Sequence, residues 1–535
     1  MSKRKFFKVI KLDFSQLLDF LFGLRYPFEE LGVWFMKKIK EFENFMIYNF
    51  PVKAWGIVLL TAVFYRLLIN NINLWSDEIY SVLMAKDSLS DMWVLLTSED
   101  SKPPLYYLYL KVILWLFPKN YEIFGAHFAS YLLLIVAEIF TIVAVRKDYG
   151  DKISFWMLVI LALHPISLWL AFEVRTYMLS ALLIYVALIF GMRLTRTPVF
   201  KDYVKFFLVS VLGLYSHYYV AIWMMFLYFM LLFIIIRDKN FKKLGKKFLV
   251  LSFAVAVVFA PWLYVPLNTA DDISKHWYVS YEFVVFSFRF FTDPLQPEIW
   301  QSIFFIATAI AATSCSFVVI LGSFNFLGYP SKVRRLFFVC FFSFALSFMV
   351  LLILSYSIRP MVTARYLKTY SLLWYLAGAL VVANTDALKK AFLAVMLVGW
   401  CLTYIDIKAI SFDRHYQNAV SDIKKFIPKN HTILALDNAN LFCEYFLPEY
   451  KCALAVGEVG EILRRPTLIK NIDLYKEEPR DVNFVISYYN SVSDDCNLYP
   501  SKYRQSPDFR ICKLTYPEVK KYLNDSLELR LNKYL

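Results

Sequence analysis

The stretch INLWSDEIYSVLMAKDSLSDMWVLLTSEDSKPPLYYLYL, residues 72–110, follows the first long apolar run of the chain. It carries two adjacent pairs of acids, Asp77 with Glu78 and Glu99 with Asp100. Lys102 and two prolines follow directly. The fold depends on whether the apolar runs on either side of this polar stretch are membrane spans. The composition of the whole chain indicates that they are.

The chain has 535 residues, of which 59% are hydrophobic and 19% aromatic. Its mean hydropathy is +0.50. Apolar runs of about 17 to 25 residues recur along it, as a bilayer core requires of helices that cross it. The composition therefore predicts a polytopic α-helical membrane protein. Residues 1–53 mix basic and apolar residues, which predicts an N-terminal amphipathic segment on the cytoplasmic membrane face and no signal peptide before the first span.

The net charge of +15 could indicate nucleic-acid binding, but its distribution argues against that function. The basic residues cluster in short loops between apolar runs, which is the pattern of cytoplasmic loops in membrane proteins. These loop residues are Arg146, Lys147, Lys152, Arg193, Arg196, Lys201, Lys205, Arg237, Lys239, Lys242, Lys243, Lys246, Lys247, Lys332, Arg334, Arg335, Lys389 and Lys390.

The topology depends on whether residues 103–117 cross the membrane. If this short run crossed, the basic segment 146–152 and the later basic loops would face outside. If it is an interfacial helix within an external loop 71–122, all of these loops face the cytoplasm. The second choice predicts eleven spans, a cytoplasmic N-terminus and an external C-terminus in the cell membrane. The spans are 54–70, 124–145, 153–172, 175–194, 203–217, 219–236, 248–266, 299–321, 336–357, 366–384 and 388–408.

The composition changes after residue 410, and no further spanning run follows. Residues 411–535 alternate predicted strands (431–437, 452–456, 482–488 and 509–516) with two predicted helices, which indicates a small extracytoplasmic α/β domain. Its cysteines either form disulfides, with three possible pairings, or stay as buried thiols. They are Cys443, Cys452, Cys496 and Cys512.

Several charged side chains lie at the predicted outer ends of spans, on the same side as Asp77 and Glu78. They are Glu173, Arg175, His217, Arg359 and Arg365. Charge near a bilayer core is costly, so each side chain needs a partner or a function. Each motif also has a structural alternative. Ser76 could cap a helix whose first turn holds the two acids; the prolines could start an interfacial helix; Glu173 and Arg175 could form a local ion pair; and His217 could belong to an aromatic belt.

Together these motifs resemble the GT-C glycosyltransferases that use polyprenyl-phosphate sugars, especially protein mannosyltransferases and lipid A aminoarabinose transferases. The resemblance covers residues 54–385, or most of the 54–410 membrane domain. It consists of an acidic pair after the first span, then D-x-K-P-P-L-Y-Y, H-P…E-x-R-x-Y, Y-x-H-Y-Y and a late A-R-Y-L. One departure is AHFAS at residues 126–130, where many members carry an arginine in an R-L-P-S-like segment.

The resemblance implies an inverting transfer of sugar from a polyprenyl-phosphate carrier to an acceptor hydroxyl at the external face. A carboxylate must accept the proton of that hydroxyl, and Asp77 is our candidate, with Glu78 beside it. Asp100 and Glu173 would orient the acceptor or a divalent cation, although no ligand spacing assigns a metal. The departing phosphate needs positive charge. Our candidates for binding it are Lys102, Arg175, His217, Arg359 and Arg365.

Two other functions compete with the transferase. A transporter or lipid flippase would place its charges near the membrane midplane and contain repeated halves, which this sequence lacks. A scaffold would use the C-terminal domain to bind a partner. The sequence identifies neither the sugar nor the acceptor, which could be a glycan, a lipid or a protein.

Overall fold

A computed structural model describes the chain from residue 43 to residue 69, then 73–98, 102–268, 315–324, 326–358 and 362–385. Short pieces follow at 392–393, 395–399, 432–435, 439–455, 472–475, 482–487 and 510–513, with a few single positions besides. Most of the predicted N-terminal amphipathic segment, most of the two predicted C-terminal helices, Asp100 and Arg359 lie outside the described residues.

The described part is mostly helical. Its helices are α1 Phe50–Ile69, α2 Ser76–Lys86, α3 Leu89–Ser98, α4 Leu105–Trp115, α5 Glu122–Phe140, α6 Arg146–Tyr149, α7 Asp151–Leu163, α8 Pro165–Phe172, α9 Tyr177–Leu194, α10 Phe200–Leu214, α11 Tyr218–Arg237, α12 Lys246–Asn268, α13 Cys315–Phe324, α14 Ser331–Ser357, α15 Ala364–Leu367, α16 Ser371–Asn384 and α17 Ala439–Phe446. A π-helical turn, Thr141–Val145, joins α5 to α6.

Within the described ranges, seven helical segments are long and apolar enough to cross a membrane. The number becomes eight if the bent pair α7 and α8 forms one span. The seven segments are Phe50–Leu67, Lys119–Tyr149, Tyr177–Leu194, Tyr218–Arg237, Phe241–Asn268, Ser331–Ser357 and Arg365–Asn384. The chain is therefore a multi-pass helical protein, while the predicted count of eleven spans is not confirmed.

The difference arises at four of the predicted spans. Helix α10, predicted as a span at 203–217, has only 15 residues and a polar first turn. The predicted spans 299–321 and 388–408 lie largely outside the described residues, and the described end of the first is the ten-residue helix α13. The predicted span 153–172 is broken, with a bend of 62° between α7 and α8.

The break between α7 and α8 has a local cause. Pro165 is the first residue of α8, and proline has no backbone N–H to donate to the preceding turn. His164 ends α7 and caps α8, because its Nδ1 accepts a hydrogen bond from the Ile166 backbone N–H at 3.2 Å. The new helix direction takes residues 173–176 to the end of the bundle where α2 begins.

The polar stretch 72–110 folds into α2, α3 and the beginning of α4. Helix α4 has 11 residues, about 16 Å at 1.5 Å per residue, which is too short to cross a bilayer. It packs against both α2 and α5. The backbone N–H of Leu105 also donates to the Tyr215 carbonyl at 3.1 Å, so the start of α4 is attached to the residues before α11.

The C-terminal part contains a five-stranded sheet in the order β3-β2-β1-β4-β5. Its strands are β1 Thr432–Ala435, β2 Lys451–Ala455, β3 Ile472–Tyr475, β4 Val482–Ser487 and β5 Arg510–Lys513. The first four are mutually parallel and β5 is antiparallel to β4. Helix α17 joins β1 to β2 and packs against α2. Cys443 on α17 is a buried free thiol.

Candidate active site

The structure brings together four of the predicted site residues: Asp77, Glu173, Arg175 and Arg365. Asp77 lies in the first turn of α2, and Arg365 lies on α15. Arg365 Nη1 donates to Asp77 Oδ2 at 2.9 Å, while its Nε and Nη2 both donate to Glu173 Oε1 at 3.2 Å. Arg175 Nη2 lies 3.9 Å from the same Asp77 oxygen. Side chains up to 288 positions apart in sequence thus form one charged cluster.

The segment 173–176, which carries two members of this cluster, is held from three directions. The Glu173 carbonyl accepts from Ser130 Oγ at 2.5 Å, and the Val174 N–H donates to Glu78 Oε1 at 2.8 Å. Thr176 Oγ1 donates to the Ser216 carbonyl at 2.8 Å. Because α5, α2 and the residue before His217 all bind this segment, Glu173 and Arg175 have a fixed position relative to α2.

The two adjacent acids of α2 have different environments. Glu78 is 3% exposed, and its second oxygen accepts from the Trp75 N–H at 3.1 Å, so backbone groups bind both of its oxygens. Burial raises the pKa of Glu78 to about 8, against the opposing effect of the Val174 and Trp75 N–H groups. The Asp77 side chain is 38% exposed. Consecutive helical residues point about 100° apart, so Glu78 faces the protein interior while Asp77 remains accessible.

Trp75 is the N-cap of α2, so Ser76 is the first helical residue and not the cap that the sequence suggested. The Glu78 side chain at the third helical position accepts from the Trp75 N–H, which satisfies one of the backbone donors at the start of α2. The Trp75 ring also covers Arg365, whose guanidinium carbon lies 4.2 Å from the ring centroid.

Arg365 owes its position to a helix start. The chain leaves α14 and α15 begins after Thr363, whose Oγ1 accepts from the Tyr366 N–H at 3.2 Å. The Tyr177 ring centroid lies 5.8 Å from the Arg365 guanidinium. The guanidinium is therefore in contact with two aromatic rings and two carboxylates.

The Arg175 side chain binds a backbone carbonyl and a serine hydroxyl of α2. Its Nη1 donates to the Asp77 carbonyl at 3.0 Å and to Ser81 Oγ at 3.1 Å. The arginine is buried. The charge that it brings to the site is thus fixed beside Asp77 and does not depend on an ion pair at the surface.

His217 and Lys102 lie next to the cluster. His217 Nδ1 accepts from the Tyr219 N–H at 3.1 Å and caps α11. Burial, together with the charges of Lys102 and Arg175, lowers the pKa of His217 to about 3, so the ring is neutral. The Lys102 ammonium lies 5.3 Å from the Tyr80 ring centroid. His217 therefore offers a hydrogen-bonding ring, and Lys102 and the arginines supply the positive charge.

Lys368 was missed in the sequence, although it follows the A-R-Y-L motif by one position. It is buried, with its ammonium 3.0 Å from the Trp169 ring centroid. Burial raises the pKa of Glu173, and the charges of Arg365 and Lys368 oppose that rise. A buried lysine needs such partners. The signal in the sequence was a third cation beside Arg359 and Arg365, which a membrane-edge anchor would explain equally well.

The departure at AHFAS also has a structural explanation. His127 Nδ1 lies 2.5 Å from the Phe172 carbonyl, and Ser130 binds the next carbonyl, that of Glu173. These two residues of α5 hold the end of α8. His127 therefore helps to position the site and does not supply the positive charge that an arginine in this segment would supply.

Within the described part of the chain, no group of three or more His, Cys, Asp or Glu side chains could hold a metal ion. The nearest carboxylates, Asp77 and Glu173, both accept from Arg365. Each of them uses one oxygen to accept from Arg365, and the positive guanidinium that binds both repels a cation, so this donor set does not fit a metal site.

No family model matches the sequence, and no curated protein matches it. Two solved structures of ArnT from Cupriavidus metallidurans are similar to it. The apo structure has a TM-score of 0.47 at 13% identity and covers 75% of this chain and 86% of that chain. The structure bound to undecaprenyl phosphate has a TM-score of 0.52 at 11% identity and covers 87% of this chain and 98% of that chain. This second similarity shows that the chain has the fold of ArnT, which is the GT-C fold.

Proposed function

We propose that the protein is an inverting glycosyltransferase that moves a sugar from a polyprenyl-phosphate carrier to an acceptor hydroxyl at the external membrane face. The observation that carries this proposal is the partly exposed carboxylate of Asp77 beside Arg365 and Arg175, at one end of a membrane helix bundle. A base next to fixed positive charge is what transfer from a phosphate leaving group requires.

Asp77 would accept the proton of the acceptor hydroxyl as that oxygen attacks the anomeric carbon. Its neighbour Glu78 is too buried to reach a substrate and would hold segment 173–176 in place. General-base catalysis of this kind contributes about 10²- to 10⁴-fold. The new bond forms on the face opposite the departing phosphate, so the anomeric configuration is inverted.

The phosphate that leaves with the carrier would be stabilised by Arg365 and Arg175. The planar guanidinium matches two phosphate oxygens at once, and in this site its orientation is fixed by rings and carboxylates. Lys102, His217 and Lys368 surround the pair and would extend the binding surface for the phosphate. The predicted roles of Asp100 and Arg359 stay predictions, and we assign no role to a cation.

The carrier chain has an apolar cavity available to it. The cavity has a volume of ≈ 560 Å³ and is lined by α13, α14 and α16, with Phe344 and Trp374 among its walls. A series of aromatic contacts links this cavity to the site. The ring centroids of Tyr366 and Tyr219 lie 5.8 Å apart, and those of Tyr219 and Tyr370 lie 6.1 Å apart. The Tyr370 and Phe344 centroids lie 5.8 Å apart. The fold shared with an ArnT structure that binds undecaprenyl phosphate supports a polyprenyl carrier here.

The acceptor would be a glycan, a lipid or a protein, and the C-terminal sheet lies against the candidate catalytic helix α2 through α17. This arrangement supports an extracytoplasmic C-terminal domain beside the site. The proposal places the protein in the cell membrane with a cytoplasmic N-terminus.

The test is sugar transfer by the purified protein in lipid nanodiscs. A panel of labelled polyprenyl-phosphate sugars serves as donors, membrane glycans and lipids serve as acceptors, and the polyprenyl phosphate released is measured. Asp77→Asn should lower transfer by about 10²-fold or more. The matched control is Asp91→Asn, which changes an acid in the first turn of the neighbouring helix α3 and should keep wild-type activity. If the wild type moves the carrier between leaflets without transferring sugar, the protein is a transporter.

A further inference from the structure

Arg365 makes two kinds of contact with its two carboxylates. Two of its nitrogens, Nε and Nη2, bind the single oxygen Oε1 of Glu173, while Nη1 alone binds Asp77. An arginine has five N–H donors in a fixed plane, so one side of the plane can keep a partner while the other side exchanges one.

The contact with Glu173 has the features of a permanent one. The Glu173 side chain is 4% exposed, and its backbone is held by Ser130. The contact with Asp77 has the opposite features. Asp77 is 38% exposed, and only one Arg365 nitrogen, Nη1, binds its carboxylate, which also lies 3.9 Å from Arg175 Nη2. The rings of Trp75 and Tyr177 face the guanidinium and would keep it in place while one partner changes.

We propose that Arg365 is an exchange clamp. In the empty site Nη1 holds Asp77. When the sugar donor binds, its phosphate takes Nη1 and releases the Asp77 carboxylate from Arg365, so that the carboxylate can act as the base. Glu173 is then a positioning residue that keeps the guanidinium oriented through Nε and Nη2. This inference rests on the proposed function and adds an order to it: the donor binds first, and only then can the acceptor hydroxyl be activated.

The exchange predicts opposite effects of the two acids on phosphate binding, whereas simple charge repulsion predicts the same effect for both. Asp77 competes with the phosphate for Arg365, so its removal should strengthen phosphate binding. Glu173 prepares Arg365 for the phosphate, so its removal should weaken binding. If the two acids acted only by repelling the anionic phosphate, the loss of either one would strengthen binding.

The experiment measures binding of undecaprenyl phosphate to the full-length protein in nanodiscs made of neutral lipid. We expect Asp77→Asn to bind about five- to tenfold more tightly than the wild type, because the binding-competent state no longer has to be released from Asp77. We expect Glu173→Gln to bind about fivefold more weakly, because the orientation of the arginine is lost. Asp91→Asn controls for the loss of one negative charge elsewhere in the same loop.

A double-mutant cycle adds an independent measurement. In an Arg365→Gln background, Asp77→Asn should change the affinity by less than about twofold, because the hydrogen-bonded partner is gone and only the longer 3.9 Å contact with Arg175 remains. This cycle decides the question if Glu173→Gln does not give a folded protein. Tighter binding by both acid variants, no change in Asp77→Asn, or an undiminished Asp77 effect without Arg365 would overturn the exchange. If the wild type binds no undecaprenyl phosphate, the proposed function itself fails.

Discussion

The substitution Glu78→Gln tests whether this acid positions the site or takes part in the chemistry. In the structure its two oxygens accept from the Val174 N–H at 2.8 Å and from the Trp75 N–H at 3.1 Å. Glutamine has one carbonyl oxygen, so it can accept only one of these bonds, and its amide N–H₂ would face the other donor. One hydrogen bond is lost and one buried N–H loses its partner.

That loss should cost about 1–3 kcal/mol in the free energy of unfolding. The matched control is Glu122→Gln on α5. Glu122 pairs with Lys86 at 3.1 Å, and the Lys86 side chain is 42% exposed, so this pair should contribute no more than about 1 kcal/mol. The measurement is an unfolding titration in mixed detergent micelles for the wild type and both variants, at a pH above 8, where the Glu78 carboxylate is ionised and both of its oxygens accept.

Transfer should fall together with stability in Glu78→Gln. Segment 173–176 loses an anchor, and a displacement of about 1 Å in a reacting group can cost about 10²-fold in rate. By contrast, Asp77→Asn should lose transfer with a stability change of no more than about 1 kcal/mol, because its side chain is partly exposed. A Glu78→Gln protein that unfolds like the wild type yet transfers no sugar would refute the positioning role.

Three further predictions concern pH, packing and topology. The pKa of Glu78 is raised from 4.5 to about 8 in the folded protein, so between these values the folded state binds a proton that the unfolded state does not. The contribution of Glu78 to the free energy of unfolding should therefore be highest below pH 4.5 and should be lost as pH rises through 8. The decrease in the free energy of unfolding between pH 6.5 and 8 should be smaller in Glu78→Gln. At Gly378 an added Cβ would lie 2.8 Å from Cys315 Sγ, so Gly378→Ala should lower the free energy of unfolding by about 1–3 kcal/mol. Adding Cys315→Ala to the same chain should restore much of that loss. A Gly378→Ala protein as stable as the wild type would contradict this packing. A reporter fused after residue 148 should be cytoplasmic and one after residue 420 external, and the reverse pattern would overturn the predicted orientation.

The sequence alone was enough to predict a membrane bundle, because apolar runs of spanning length do not depend on tertiary contacts. It also predicted that residues 103–117 would not form a full span, which agrees with the 11-residue helix α4. It predicted strands that overlap β1, β2, β4 and β5, because short β-branched runs between turn residues are a local signal. The span count was not confirmed, because hydropathy alone registers neither the bend at Pro165 nor the short length and polar first turn of α10, and two predicted spans lie largely outside the described residues.

For the site, the sequence could list charged residues near the ends of apolar runs, and four of them meet. It named Asp77 as the base and kept Glu78 beside it, but it could not show that Glu78 is buried, because only the position of segment 173–176 buries one acid and leaves the other accessible. Nor could it show that Arg365 binds Asp77 and Glu173 at once, since that contact joins three segments far apart in the chain. The types of the charged groups follow from local sequence, whereas their pairing and their exposure are properties of packing, which only the tertiary structure decides.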